Sequence, residues 1–574
     1  MNLGFGSENF GFHGLSKILQ AMSDQPENQI TRIANEYFAL LARAFPVMCA
    51  SDEFHFLPRV QEAVQFLDRM DDLSQEAIGA VVAAVRDLQK QLRKQRAAQD
   101  FEEEIDRQFL LHNMAGVLIE LEEVQSWRHN PLIYLKVCCI GVDHAVNKPA
   151  ADGQERFDRT AERLAGLNGL LRQAGKNLST IPGPYYRAAV AMVEDAQEYL
   201  EELLREVKRD SHRRQLVRAC SEAQHALAAF TQRLREIGPT PAATVQSISV
   251  EELVQRHFGC SRTLEEIFAV AEKEWQDSQK EMDRLRRSID PSQDWQQLYE
   301  NYLPGTGEEL DLFRLYGDEI ESLRNLCRNL KLLDGHLDQE VVLSETPTYL
   351  RSVRSGASYS APLTIDPGEQ ACFYITAGNP AGNSQMDVLR RQRLHREFRF
   401  LSAHETYPGH HLLDSIRRHL KNPVRRQIES PLFYEGWAYY AESILAESGH
   451  VKDELELLVD CKRRLWRAAR CLIDSGLAMQ RFTTEKAADL LVSVGFAADE
   501  AIAQVERFRL NPGYQLCYSL GKYEIVELRQ RFLPTFGWQR FHRLLLEGGE
   551  IPFNLAAWRF ENLAENGSSG VGSF

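Results

Sequence analysis

At 574 residues, with 44% hydrophobic and 26% charged side chains, the chain is long enough for a large buried core and has an ordinary globular composition. Its formal charge of −15 argues against a nucleic-acid-binding surface, which a basic patch would carry. No run approaches the roughly 18 apolar residues of a membrane-spanning helix, so no membrane partner is expected.

The first 24 residues, Gly-, Asn- and Ser-containing without periodicity, read as a loosely ordered lead-in. They lack the basic start and apolar run of a secretory signal. The ten cysteines are scattered without a CxxC pair, as reduced thiols in a core would be. Together these features predict a cytoplasmic protein.

From about 25 to 240 the text is helical, with apolar residues at three- and four-residue spacing such as Ile30, Ile33, Tyr37, Leu40 and Leu41. The composition shift at 238–249 predicts a linker before a second region, 250–564. There, 263–288 reads as a long helix, and 291–355 as irregular and polar. Residues 357–378 are strand-like, with Pro367-Gly368 as the turn of a short hairpin whose exposed edge could bind an extended peptide. Asn383 or Ser384 would cap a helix running through Leu401. Later helices are expected over 452–480, 486–508 and 514–532. The Gly/Ser-rich 565–574 reads as a disordered tail.

The chemistry concentrates between 401 and 447. A catalytic Zn²⁺ takes three His or carboxylate ligands and keeps one position open for water. His404-Glu405 starts such a set, but the position at i+4, where a zinc-peptidase helix carries its second histidine, is Pro408. In a regular helix i+6 points about 120° away. Pro408 lacks the N–H that the His404 carbonyl needs, and Gly409 tolerates unusual dihedrals, so a bulge absorbing two residues would bring His410 into place. His411, at i+7, remains the alternative ligand. Ser430-Pro431 starts the next helix and puts Glu435 in its first turns as third ligand. Gly436 beside it would let two helices approach closely, and Glu442 on the same face could hydrogen-bond a ligand histidine. A His-Glu pair alone signals little, since histidines commonly sit at helix ends. The Glu-Gly-Trp-Ala text at 435–438 completes a coordination set for one Zn²⁺ per chain.

The text from His404 through His411, with Tyr434-Glu435-Gly436-Trp437-Ala438 and Glu442, resembles the bacterial family catalogued as domain of unknown function 885. The resemblance extends from about 250 to 560, with no match in the first 240 residues. It implies a mainly α-helical, zincin-like (gluzincin or oligopeptidase-type) fold with a deep cleft, a small β-hairpin near the active site and a glutamate as third metal ligand. The Glu-Gly-Trp-Ala stretch is similar to that of zinc aminopeptidases, and Gly409-His410 to the Gly-His of helical oligopeptidases, which supports His410. It also implies a tyrosine as oxyanion donor, Tyr518 before Tyr514. Tyr359, Tyr374, Tyr514 and Arg529 are substrate-binding candidates, the arginine for a substrate carboxylate.

The expectation is a zinc-dependent metallopeptidase acting on short peptides, with Glu405 as general base. Its alternatives are a zinc hydrolase of a non-peptide amide or ester, and a non-catalytic helical binding protein with a relic site. The oligomeric state is not legible.

Overall fold

The computed structural model describes residues 28–95, 100–208, 214–241, 248–304, 311–354, 356–376 and 385–567. The expected lead-in, residues 242–247 of the expected linker, the cap candidates Asn383 and Ser384, and the tail beyond 567 lie outside them.

The protein is mainly α-helical, as its sequence periodicity predicts. Local signals start many of its helices: Ser74 accepts from the N–H of Ala77, Asp152 from that of Glu155, and Thr263 forms a reciprocal capping box with Glu266. The last of these opens α1 (Leu264–Ile289), which buries Ile267, Ala271, Met282 and Leu285. The apolar faces of most helices merge into a large hydrophobic core that runs from Ile30 to Phe560, and a smaller cluster gathers Ile473, Ala487, Leu491, Val505 and Phe508.

The stretch expected to be irregular contains two helices, Trp295–Asn301 and Leu312–Asn329, and strand β1 (Val341–Glu345). The longer helix buries Tyr316, Ile320, Leu323 and Cys327, a three- and four-residue spacing already present in the sequence. The expected hairpin forms as β2 (Ala357–Ser360) and β3 (Ala371–Ile375), antiparallel with Tyr359 opposite Phe373. Strand β1 adds to the other side of β3 in parallel, giving a three-stranded sheet of order β1-β3-β2. Phe373 and Ile375 are fully buried beneath it.

The helix expected to run through Leu401 breaks at Glu397, between Gln385–Arg396 and α2 (Phe398–Glu405). Glu397 is buried at the break and accepts from Tyr299 (2.9 Å), Lys462 (3.0 Å) and Arg463 (2.6 Å). Next come α3 (His410–Arg417), α4 (Pro431–Glu447) and α5 (Glu454–Ala478), the last packed along α1. The helix expected over 486–508 is two, Thr484–Ser493 and Ala498–Leu510, separated at Gly495 where φ is 102°. Helix α6 (Cys517–Glu547) is longer than expected and kinks at Gly537 beyond Pro534. The final helix, Phe553–Gly567, takes in the first residues of the expected tail.

Candidate metal centre

Helix α2 ends immediately after His404-Glu405. Thr406 leaves helical geometry (φ −119°, ψ −101°), the Tyr407–Pro408 peptide is cis, and α3 opens at His410. The expected bulge within one helix is therefore a break between two. Gly409 is what closes the corner: a Cβ there would lie 1.9 Å from the His404 carbonyl oxygen and 2.3 Å from that of Ala403. The buried Trp437 indole N–H donates to the Pro408 carbonyl (2.9 Å), tying the corner to α4.

This corner brings His404 and His410 to the glutamate of α4. Glu435 Oε2 lies 3.4 Å from His404 Nε2 and 3.7 Å from His410 Nε2, and one ligand atom from each residue falls within 4.8 Å of the others. Tetrahedral coordination at about 2.1 Å separates ligand atoms by about 3.4 Å, near the two distances to Glu435, so the donor set suits a zinc ion. The three residues are only 4–6% exposed, and Glu435 Oε2 has no hydrogen-bond partner although it is buried. A buried, undonated carboxylate oxygen facing two imidazoles is a donor set suited to a cation.

The surrounding groups hold this set in place. Glu442 Oε1 is 2.9 Å from His404 Nδ1, which fixes the proton there and turns the Nε2 lone pair toward Glu435. Glu442 is itself gripped by Arg463 (3.0 and 3.1 Å) and by Arg467 (2.5 and 3.2 Å). His410 is held by stacking: the Tyr434 ring lies 3.8 Å away at 14°. Glu435 Oε1 accepts from both Tyr514 (2.7 Å) and Tyr518 (2.8 Å). Burial alone would lower the His404 pKa, but the carboxylates of Glu435 and Glu442 at its two nitrogens, with the charge of Glu405 nearby, raise it to about 9. Burial would likewise raise Glu435, and the two histidines hold it well below the usual carboxylate range.

The other expected residues divide. The Glu405 carboxylate accepts from the Tyr359 backbone N–H (2.9 Å). The edge strand β2 thus spends that N–H inside the protein, and the Tyr359 carbonyl accepts from Arg354 (3.4 Å), so this edge position is not free for a peptide as expected. His411 is turned away from the cluster. Its Nδ1 meets the Tyr359 hydroxyl (3.2 Å) and its Nε2 the Gln339 carbonyl (3.0 Å), while burial lowers its pKa to about 4. Tyr374 packs near the Arg354 guanidinium (5.3 Å) rather than at the cluster. Arg529 is committed elsewhere, to the Tyr440 hydroxyl (3.2 Å) and Glu447 (2.8 Å). Gly436 does allow a close helix approach, but toward α6: a Cβ there would lie 2.5 Å from the Gly521 Cα.

Sequence reasoning assigned no role to Tyr434, Arg463, Arg467 or Gly521. Tyr434 adjoins Glu435, and the arginine pair recurs at i and i+4, so a search for partners of the ligands would have found both signals.

The fold and site define a mainly helical protein built around a buried cluster of two histidines and one carboxylate. Residues 60–558 match the family described as bacterial protein of unknown function (DUF885), and the chain belongs to that family. The match takes in much of the N-terminal helical region where no motif was legible.

Two solved structures share the fold. One is a candidate lipoprotein of unknown function from Shewanella oneidensis, at TM-score 0.70 and 18% identity over 93% of this chain and 100% of that chain. The other is a candidate lipoprotein from Colwellia psychrerythraea, at TM-score 0.69 and 16% identity over 93% and 99%. A search of curated proteins found no match.

The cytoplasmic placement expected from the sequence is corrected by these lipoprotein neighbours. The features behind it do not discriminate, because nine of the ten free cysteines are buried and cannot be reached by a redox partner in any compartment. Among the described residues no helix is long and apolar enough to cross a membrane.

Proposed function

We propose that this chain is a zinc-dependent hydrolase, a zincin-like metallopeptidase that cleaves peptide bonds of short peptides. The observation that carries the reading is the buried meeting of His404 Nε2, His410 Nε2 and Glu435 Oε2, the last with no donor of its own. Zinc held there would polarise a scissile carbonyl and bring the pKa of water toward about 7.

The chain's own groups supply the rest. Glu405, next to His404 and oriented by the Tyr359 N–H, takes the proton of the attacking water and hands it to the leaving amine. Tyr518, with Tyr514 second, brings a hydroxyl beside Glu435 that can turn to donate to the oxyanion as the carbonyl becomes tetrahedral. Glu442, held by two arginines, keeps the His404 ring in one tautomer throughout.

The test is peptide hydrolysis by the zinc-loaded protein and by Glu405→Gln. The variant is expected to keep its zinc and to lose about 10²- to 10⁴-fold in kcat/KM. Undiminished turnover in Glu405→Gln would contradict the assignment of the base.

A further inference from the structure

The sequence reading gave a substrate carboxylate to Arg529, which the structure shows tied to Glu447 and Tyr440. A different arginine stands beside the centre with no ion-pair partner among the described residues. Along α5, Arg463, Arg467 and Arg470 follow at i, i+4 and i+7, on one helix face. The first two are committed to carboxylates: Arg463 to Glu397 and Glu442, Arg467 to Glu442. Arg470 has no such partner among the described residues. Its Nε–H donates to the neutral Gln515 amide oxygen (2.7 Å), and its guanidinium lies 4.0 Å from the centre of the Tyr518 ring, close enough to bear on that hydroxyl.

The place is fixed on every side. The Tyr518 hydroxyl is 2.8 Å from Glu435 Oε1, so the arginine stands one side chain away from the proposed metal ligand. Gln515 is buried, and Asp474 accepts its backbone N–H (3.1 Å) together with that of Gly513 (2.9 Å). Trp466 covers the guanidinium at 5.0 Å. Stacking and neutral hydrogen bonds hold the planar fork in position, and buried Asp474, which feels its charge, gives its oxygen to two backbone N–H groups instead of closing an ion pair with it. A guanidinium presents a rigid pair of donors that match a carboxylate's two oxygens.

We infer that Arg470 receives a carboxylate of the substrate, so that the ligands of this site are short peptides bearing a carboxylate near the scissile bond, at the chain end or on an acidic side chain. The inference rests on the proposed hydrolase reading of the same centre.

Calorimetric titration in a Glu405→Gln background, where bound peptide is not turned over, tests it with three probes: trialanine, trialanine amide and Ala-Ala-Glu amide. At least one carboxylate-bearing probe is expected to bind about 10-fold or more tightly than trialanine amide. The preference should vanish in Arg470→Gln and survive in part in Arg470→Lys, which keeps the charge without the fork. Preference for trialanine places the carboxylate at the chain end, and preference for Ala-Ala-Glu amide places it on a side chain. Equal binding of all three probes, or a preference that persists in Arg470→Gln, overturns the inference. Thermal melting of Arg470→Gln checks its fold, and the lysine variant gives the answer if that fold is lost. Zinc content and hydrolysis by the wild type report separately: turnover without carboxylate preference sinks only the role of Arg470, and preference without turnover sinks only the hydrolase reading.

Discussion

His404 is where the electrostatics of the centre concentrate. Its imidazole faces Glu435 through one nitrogen and Glu442 through the other, and its pKa rises to about 9 for that reason. Without metal it is therefore an imidazolium at neutral pH, and a zinc ion must displace that proton to reach Nε2. Zinc affinity is accordingly expected to rise about tenfold per pH unit toward about pH 9, measured by competitive titration from pH 6 to 8. The metal-free protein carries the converse signature. A histidine raised from about 6.5 when unfolded stabilises the fold fully below that pH, and the contribution is lost as pH rises through about 9. A pH-independent zinc affinity would contradict this picture. At this scale the sequence was informative where chemistry is local. His404, Glu405, His410 and Glu435 lie in one short stretch, and Glu442 could be assigned from its seven-residue offset. Tyr374 and Arg529 could not be placed, because their neighbours come from elements that spacing does not identify.

The elements meet through glycines. Helices α4 and α6 cross so closely that a Cβ on Gly521 would lie 2.2 Å from the Leu432 carbonyl oxygen, a backbone atom that cannot step aside. Gly521→Ala is therefore expected to cost about 1–3 kcal/mol in urea denaturation and to push Tyr518 off Glu435. A variant as stable as the wild type would show that the crossing is looser than described. The sequence showed half of this contact. Ser430-Pro431 marks the start of α4, and Gly436 beside a carboxylate signals a close approach, but nothing local names Gly521 as its partner. The same limit applies to the sheet. Strands β2 and β3 form a hairpin that the Pro-Gly turn announces, whereas β1 joins in parallel across an intervening chain. The helix Leu312–Asn329 was legible in its spacing and was passed over because its surface is so polar.

Across the whole molecule, the N-terminal helical region is part of the centre's support. Arg59 reaches Asp414 on α3 (3.2 Å) and the carbonyls of Ala361 (2.9 Å) and Pro362 (3.0 Å) after β2. His55 lies beside Glu429 (3.5 Å), with its ring 5.7 Å from that of Tyr514. Removing the buried Arg59 charge leaves Asp414 to Arg417, Arg418 and the Tyr359 hydroxyl and opens two carbonyls. Arg59→Ala is thus expected to lose about 3 kcal/mol of stability in urea unfolding. A loss no larger than a surface substitution would detach this region from the centre. None of this was readable from the sequence, since Arg59 and Asp414 stand 355 residues apart and each is an ordinary charge in its own neighbourhood.

The central claim is that His404, His410 and Glu435 hold one zinc ion. Elemental analysis of the purified protein tests it most directly, on wild type and on His404→Ala, His410→Ala, His411→Ala and Glu435→Ala. About one zinc per chain is expected, lost in the 404, 410 and 435 variants and kept in His411→Ala, whose ring is bound to Tyr359 and Gln339 instead. Metal lost in His411→Ala and retained in His410→Ala would contradict the geometry. No metal in the wild type, and none taken up on reconstitution, would contradict the claim itself.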